Sequence, residues 1–134
     1  KASSLYAPVI ADETYGFQRL NVAAQEKAPD SLLNWLKRVI RTRHRYPAFG
    51  NGALRLLSVQ NPAILAYLRQ NETQTLLVIN NLSAEPQTFH LDLPSATLTP
   101  LLEGRPVFVD GTFSLPGYGF QWYELSSNPE SKAS

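Results

Sequence analysis

The sequence predicts a mainly β protein, an antiparallel β-sandwich preceded by one amphipathic α-helix. Two observations carry this. Leu32, Leu33, Leu36, Val39 and Ile40 recur at the spacing that gathers apolar side chains on one helix face, with Trp35 beside them. From Ala53 onward the period changes to that of strands, in short runs separated by turn residues. Closely spaced short strands after a single helix favour an antiparallel sandwich.

Taken in order, Lys1 to Pro29 holds no sustained period, being interrupted by Pro8 and Gly16 and kept polar by Asp12-Glu13 and Glu26-Lys27. It reads as a long loop with one short helical turn near Val22 to Glu26. A loop of this length is unusual inside a small domain. It makes better sense as the end of a longer one that starts upstream. The main helix is expected over Ser31 to Arg45, with Asp30 or Ser31 accepting from the free N–H groups of its first turn. Its basic residues crowd the C-terminal half, where the helix dipole favours cations. Pro47 stops it, and Gly50 and Gly52 are expected to permit a sharp reversal.

Strands are expected at Leu54–Val59, Ala63–Gln70, Thr73–Asn80, Gln87–Leu93, Leu98–Leu102, Pro106–Val109, Thr112–Leu115 and Phe120–Leu125. Asn71-Glu72 and Asp110-Gly111 are the expected hairpin turns, the second the stronger because both positions tolerate positive φ. Ser126 to Ser134 is small and polar, a frayed end or the start of a linker.

Composition bounds the function. The 134 residues suggest one domain, which folded alone would bury roughly two thirds of its unfolded surface. Twelve basic residues balance eleven acidic ones, so no field exists to steer a polyanion, and nucleic acid is not an expected partner. No apolar run reaches the roughly 18 residues of a membrane helix. The chain has no cysteine, which excludes disulfides and thiolate chemistry and fits the cytoplasm. It also has no methionine, and no apolar core follows Lys1-Ala2-Ser3-Ser4. The expectation is an internal segment of a longer protein.

The stretch from Tyr15 to Gly52 carries a resemblance. Tyr15-Gly16-Phe17-Gln18, Asn21-Val22, Ala24-Gln25, Ser31-Leu32-Leu33, Trp35, Arg41-Thr42-Arg43, Pro47 and Phe49-Gly50 resemble the end of the catalytic barrel in the α-amylase family, glycoside hydrolase family thirteen. Leu76-Leu77-Val78-Ile79-Asn80-Asn81-Leu82 extends the likeness, which weakens from Ala84 to Leu115 and returns faintly at Gly117-Tyr118-Gly119-Phe120-Gln121-Trp122. The helix signature recurs across that family. The Tyr15 to Gln25 motif is most similar to its trehalose synthases, which interconvert maltose and trehalose. The resemblance implies that residues 1–50 are a loop and the last helix of the barrel, that 51–126 are the family's C-terminal β-sandwich, and that 127–134 are a disordered tail or linker start. It implies as partner an upstream catalytic barrel of the same polypeptide, with maltose and trehalose as the parent's substrates.

Retaining glycosidases need two carboxyl groups about 5 Å apart across the scissile bond. The acids here have plainer expected places: Asp30 at a helix start, Glu72 and Asp110 at turns, Asp92 and Glu124 on polar strand faces, and Asp12, Glu13 and Glu26 in the long loop. No position matches the family's catalytic motifs, so no catalytic residue is assigned. No metal site is assigned either, since His44 and His90 lie far apart without partners at ligand spacing. No cofactor site is assigned: Gly117-Tyr118-Gly119 lacks the third glycine and following helix of a dinucleotide site and reads as a turn into the last strand. The basic helix end from Arg41 to Arg45 is expected to be a solvated face.

Asn71-Glu72-Thr73 and Asn81-Leu82-Ser83 fit the glycosylation pattern. Tyr118, Phe120, Trp122 and Tyr123 raise the idea of a sugar-stacking surface, but Phe120 and Trp122 share one strand face and are expected to pack in the sandwich core. The helix's apolar stripe, left without a barrel, favours self-association of the isolated chain. Two other readings stay open: part of another α-amylase-family α-glucosidase or amylase, and a free-standing β-sandwich that binds glucan or protein.

Overall fold

The computed structural model describes residues 10–18, 20–93, 96–103 and 107–127. The chain divides into two compact units, Lys1–Arg41 and Thr42–Ser134.

In the first unit the short helical turn expected near Val22 is α1, Val22–Lys27, whose first turn is closed by the Asn21 Oδ1, which accepts from the Ala24 N–H at 2.8 Å. The second helix, α2, spans Leu32–Arg45. Ser31 takes the capping role, its Oγ accepting from the Asn34 N–H at 3.2 Å, and the Gln25 Oε1 accepts from the Leu33 N–H at 3.0 Å. The Asn34 amide in turn donates to the carbonyls of Gln25 and Ala28, both at 2.9 Å. Two polar side chains thus knit the corner between α1 and α2. Neither helix buries a residue; Leu32, Leu36 and Ile40, four apart on one face, are 64%, 40% and 51% exposed.

Past Pro47 the chain does not reverse sharply. It makes a further short helix, α3, Ala48–Asn51, with Pro47 at its N-cap. Gly50 lies inside α3 with open space around it, and Gly52 has an ordinary φ of −72°. The glycine at 52 answers a packing need: a Cβ there would lie 2.6 Å from the Ala48 carbonyl oxygen and 2.9 Å from the Gln70 nitrogen. Close approach, not left-handed backbone, is what this position requires.

Among the described residues eight strands follow: β1 Ala53–Leu56, β2 Ile64–Gln70, β3 Thr75–Asn81, β4 Gln87–His90, β5 Ala96–Pro100, β6 Val107–Val109, β7 Thr112–Leu115 and β8 Phe120–Ser127. β1–β2–β3–β8–β5 form one sheet and β4–β7–β6 the other, with every pairing antiparallel. The predicted strand order holds throughout, with shifted ends. β1 stops at Leu56 and β4 at His90, each giving one further backbone bond, from Leu57 to Ala66 and from Leu91 to Gly111. β5 starts earlier than expected, and β8 runs on to Ser127, so the expected tail lies outside the described residues from 128 on.

The β2–β3 turn is longer than the expected two residues. Gln70 pairs with Thr75, and the Asn71 Oδ1 organises the four residues between by accepting from the N–H groups of Thr73 and Gln74 at 3.0 and 2.8 Å. Asp110-Gly111 is the tight turn predicted, with φ of 46° and 79°.

The two sheets face each other across one core. Ile64, Ala66, Leu68, Leu77, Ile79 and Tyr123 point inward from the large sheet, and Phe89, Leu91, Phe113 and Leu115 meet them from the small one. Phe113 is central, 1% exposed, with Phe89, Phe108 and Tyr123 rings 5.5, 4.8 and 5.8 Å from its own.

The expectation that Phe120 and Trp122 fill this core is overturned. They do share a face, but it is the outer one: register pairs Leu77 with Tyr123 and Val78 with Trp122, so Tyr123 lies inside and Trp122 outside. The reason lies in β3, whose Leu76, Leu77, Val78 and Ile79 are all buried, so both faces of the large sheet are apolar at its centre. Alternation along β8 alone does not decide which face is in.

Candidate functional surface

The described acids lie in different parts of the chain, one of them beside a histidine. Asp12 organises a loop, accepting from the Thr14 and Tyr15 N–H groups. Glu26 pairs with Lys37 at 3.3 Å, and Asp92 with His90 at 3.2 Å, both in exposed positions. Asp110 forms the turn before β7. Among the described residues no group of three or more His, Asp or Glu side chains is placed to hold a metal ion. No helix among them is long and apolar enough to cross a membrane.

The four aromatic residues near the last strand separate. Tyr118 sits in the turn before β8 with φ 54° and is 70% exposed. Tyr123 is in the core, 2% exposed, and burial pushes its phenol up to about 12. Trp122 packs on Phe49 of α3, ring centroids 4.6 Å apart, and Phe120 lies on the same outer face, 38% exposed.

That outer face holds a feature the sequence did not disclose. An open groove of about 580 Å³ runs along it, lined by Phe49, Leu54, Leu56, Leu65, Tyr67 and Trp122 together with Arg43 and Arg69. Leu54 and Leu56 project from the edge strand β1 and are 58% and 68% exposed. Arg69 ties α3 to the sheet by donating to the carbonyls of Ala48, Phe49 and Gly50 at 3.2, 3.1 and 3.2 Å. The available signal was the two-sided apolar run Leu76 to Ile79, together with Leu54 and Leu56 alternating with Arg55. On the outer face of the small sheet, β4 and β7 present Thr88, His90, Thr112 and Ser114. A second groove of about 740 Å³, polar in character, lies between Leu57–Pro62 and Thr88–Asp92.

The glycosylation pattern at Asn81 falls on a buried side chain. Its amide, 3% exposed, donates to the carbonyls of Glu85 and Pro116 at 2.7 and 2.9 Å, while its Oδ1 accepts from the N–H and hydroxyl of Ser83 at 3.0 and 2.8 Å. Every polar atom of this side chain is committed to holding the β3 end, the 83–85 bend and the 116–119 turn together.

Among the described residues the chain is a two-sheet antiparallel β-sandwich preceded by helices. Residues 54–122 match the maltogenic amylase C-terminal domain, and the chain belongs to that family. It is 41% identical over 134 residues to a trehalose synthase/amylase of Mycobacterium tuberculosis, covering 92% of this chain and 22% of that protein. It is 38% identical over 133 residues to a trehalose synthase of a Pimelobacter species, covering 91% of this chain and 23% of that protein. These matches fall in the relatives' C-terminal region. Among solved structures, trehalose-6-phosphate hydrolase of Bacillus licheniformis shares the fold at a TM-score of 0.72 with 23% identity, over 91% of this chain and 22% of that one. The chain therefore spans under a quarter of the length of the relatives it matches.

Proposed function

We propose that this chain is the C-terminal part of a trehalose synthase and serves to stabilise a catalytic barrel that precedes it, without supplying the reacting groups. The observation that carries this reading is the 41% identity to a trehalose synthase/amylase over nearly the whole chain, in a region that makes up 22% of that relative. The exposed apolar side chains of the first unit support it. Leu32, Leu36 and Ile40 form a partly exposed stripe on α2, and Leu20 and Val22 are 45% and 67% exposed. Exposed apolar stripes of this length mark a surface that a neighbour covers. On this reading residues 1–50 close the barrel and the sandwich from 51 to 126 follows it.

The reaction of the parent is retaining intramolecular glucosyl transfer. A carboxylate displaces the glucose of maltose and holds the glucosyl unit. The freed glucose turns within a closed pocket, and its anomeric hydroxyl attacks to give the α,α-1,1 link. Closure matters because water would otherwise capture the glucosyl unit as glucose.

The test is product analysis of the longer polypeptide on maltose. Trehalose as the main product upholds the reading; glucose alone would move the chain to a hydrolase of the same family, the second reading that the relative's double name, synthase/amylase, keeps in view.

A further inference from the structure

We propose that Asn51 is a site of spontaneous modification, deamidation through a cyclic imide formed with Gly52, and that α3 is the lock that sets its rate. Asparagine is among the heat-labile residues, and a following glycine, lacking a side chain, leaves the next backbone nitrogen open to the asparagine carbonyl carbon. Asn51-Gly52 is the only Asn-Gly pair in the sequence; the other asparagines precede valine, tryptophan, proline, glutamate, asparagine or leucine. The inference is independent of the reaction proposed above.

The chemistry balances with water alone. The Gly52 nitrogen, its proton taken by hydroxide, attacks Asn51 Cγ. The new N–C bond closes a five-membered imide, and the side-chain nitrogen leaves as ammonia. Water then opens the ring. Attack at Cγ gives aspartate, and attack at the main-chain carbonyl gives isoaspartate, whose backbone runs through the former side chain.

The folded geometry holds the site shut. Asn51 is exposed, so water and hydroxide reach it. Both reacting groups are nevertheless engaged. The Gly52 N–H donates to the Ala48 carbonyl at 3.0 Å, and the Asn51 Oδ1 accepts from the Asn71 amide at 3.0 Å. Asn51 is also the last residue of α3, and helical backbone with ψ of about −42° keeps the next nitrogen turned away from Cγ. Ring closure therefore requires α3 to open. Other residues resist that opening: Arg69 donates to the carbonyls of Ala48, Phe49 and Gly50 at 3.2, 3.1 and 3.2 Å, and the Gln74 Oε1 accepts from the Ala48 N–H at 3.3 Å. The lock can thus be weakened without altering the reacting pair.

The same packing makes the change one-way. Gly52 is buried, and a Cβ on it would lie 2.6 Å from the Ala48 carbonyl oxygen and 2.9 Å from the Gln70 nitrogen. Isoaspartate inserts a methylene into the main chain at this crowded junction, so α3 and β1 cannot rejoin around it. Deamidation turns a transient opening of α3 into a permanent one.

The test holds the purified chain in mildly alkaline buffer and follows Asn51 by peptide mass spectrometry, with a carboxyl methyltransferase specific for isoaspartate identifying the product. The urea-unfolded chain is expected to convert at Asn51 at least about tenfold faster than the folded one. Folded Arg69→Gln is expected to convert at least about tenfold faster than wild type, with the exchange rate of the Gly52 N–H rising by the same factor. Where circular dichroism shows that Arg69→Gln does not fold, Gln74→Ala, which frees only the Ala48 N–H, is expected to convert about threefold faster. In urea below the unfolding transition the wild-type rate is expected to stay nearly flat, because opening a four-residue helix exposes little surface. Absence of conversion at Asn51 in the unfolded chain overturns the site. Equal rates folded and unfolded overturn the lock. A folded rate that climbs in step with the unfolded fraction, or variants that convert no faster than wild type, overturns α3 as the gate.

Discussion

Replacing Asn81 by aspartate changes one NH2 group to an oxygen and leaves the shape of the side chain intact, so it isolates the hydrogen-bond chemistry of the buried amide. The amide donates to the carbonyls of Glu85 and Pro116 at 2.7 and 2.9 Å. In the variant both contacts become oxygen against oxygen, at a site 3% exposed. Each lost bond is worth about 1 kcal/mol net, and leaving a carbonyl unpaired costs about 1 kcal/mol more. An ionised carboxylate without a cation beside it adds a desolvation cost to these terms, so the expected loss at neutral pH exceeds about 4 kcal/mol. Asn81→Ala removes the same donors and the acceptor for Ser83, four hydrogen bonds at about 1 kcal/mol each, but buries no charge, and about 4 kcal/mol is expected. Urea unfolding of the purified chain at pH 7, read through tryptophan fluorescence, measures both. The aspartate variant should recover part of its loss as the pH falls, because a protonated carboxyl can again donate one hydrogen bond. A loss under about 1 kcal/mol at pH 7, or an alanine variant less stable than the aspartate one, refutes the sealed network.

Tyr123 gives a pH prediction. Its phenol, raised from 10 to about 12 by burial, holds its proton more tightly folded than unfolded. The contribution is therefore complete below pH 10 and is lost as the pH rises from 10 through 12, by about 2–3 kcal/mol. Urea unfolding of wild type and Tyr123→Phe over that range should show the wild type losing stability relative to the variant, and parallel curves would contradict the burial. At Gly117 a Cβ would lie 1.8 Å from the Ala84 carbonyl oxygen, so Gly117→Ala should cost about 3 kcal/mol or more. Gly50→Ala meets nothing within 4 Å inside a helix and should be neutral or stabilising by up to about 1 kcal/mol. Thermal unfolding of the two variants checks the contrast, and equal effects would refute the packing account.

The sequence by itself determined α1, α2, the strands, their order and the two-sheet class, because each rests on a local signal, though not α3. The spacing of Leu32, Leu36 and Ile40 shows the helix face, the alternation of Phe89, Leu91 and Leu93 shows a half-buried strand, and Asp110-Gly111 shows a tight turn. Separate motifs, in Tyr15 to Gly50 and in Leu76 to Leu82, carried the family likeness that the comparisons bear out. Tertiary structure decided what depends on neighbours distant in sequence. Strand ends moved because pairing partners set where a ladder stops: β1 and β4 are shorter than their apolar runs. Gly52 answers to Gln70, a contact no local pattern contains. The turn at Asn71 lengthened because one side chain accepts two backbone donors. Asn81 looks like a strand-end residue with a modification pattern, and only the convergence of the 83–85 bend and the 116–119 turn makes it a buried hub. Above all, strand alternation says which residues share a face and is silent on which face is inward when both are apolar. The register of β8 against β3, covered by α3 on one side and the small sheet on the other, put Tyr123 in the core and left Trp122 on the outer groove.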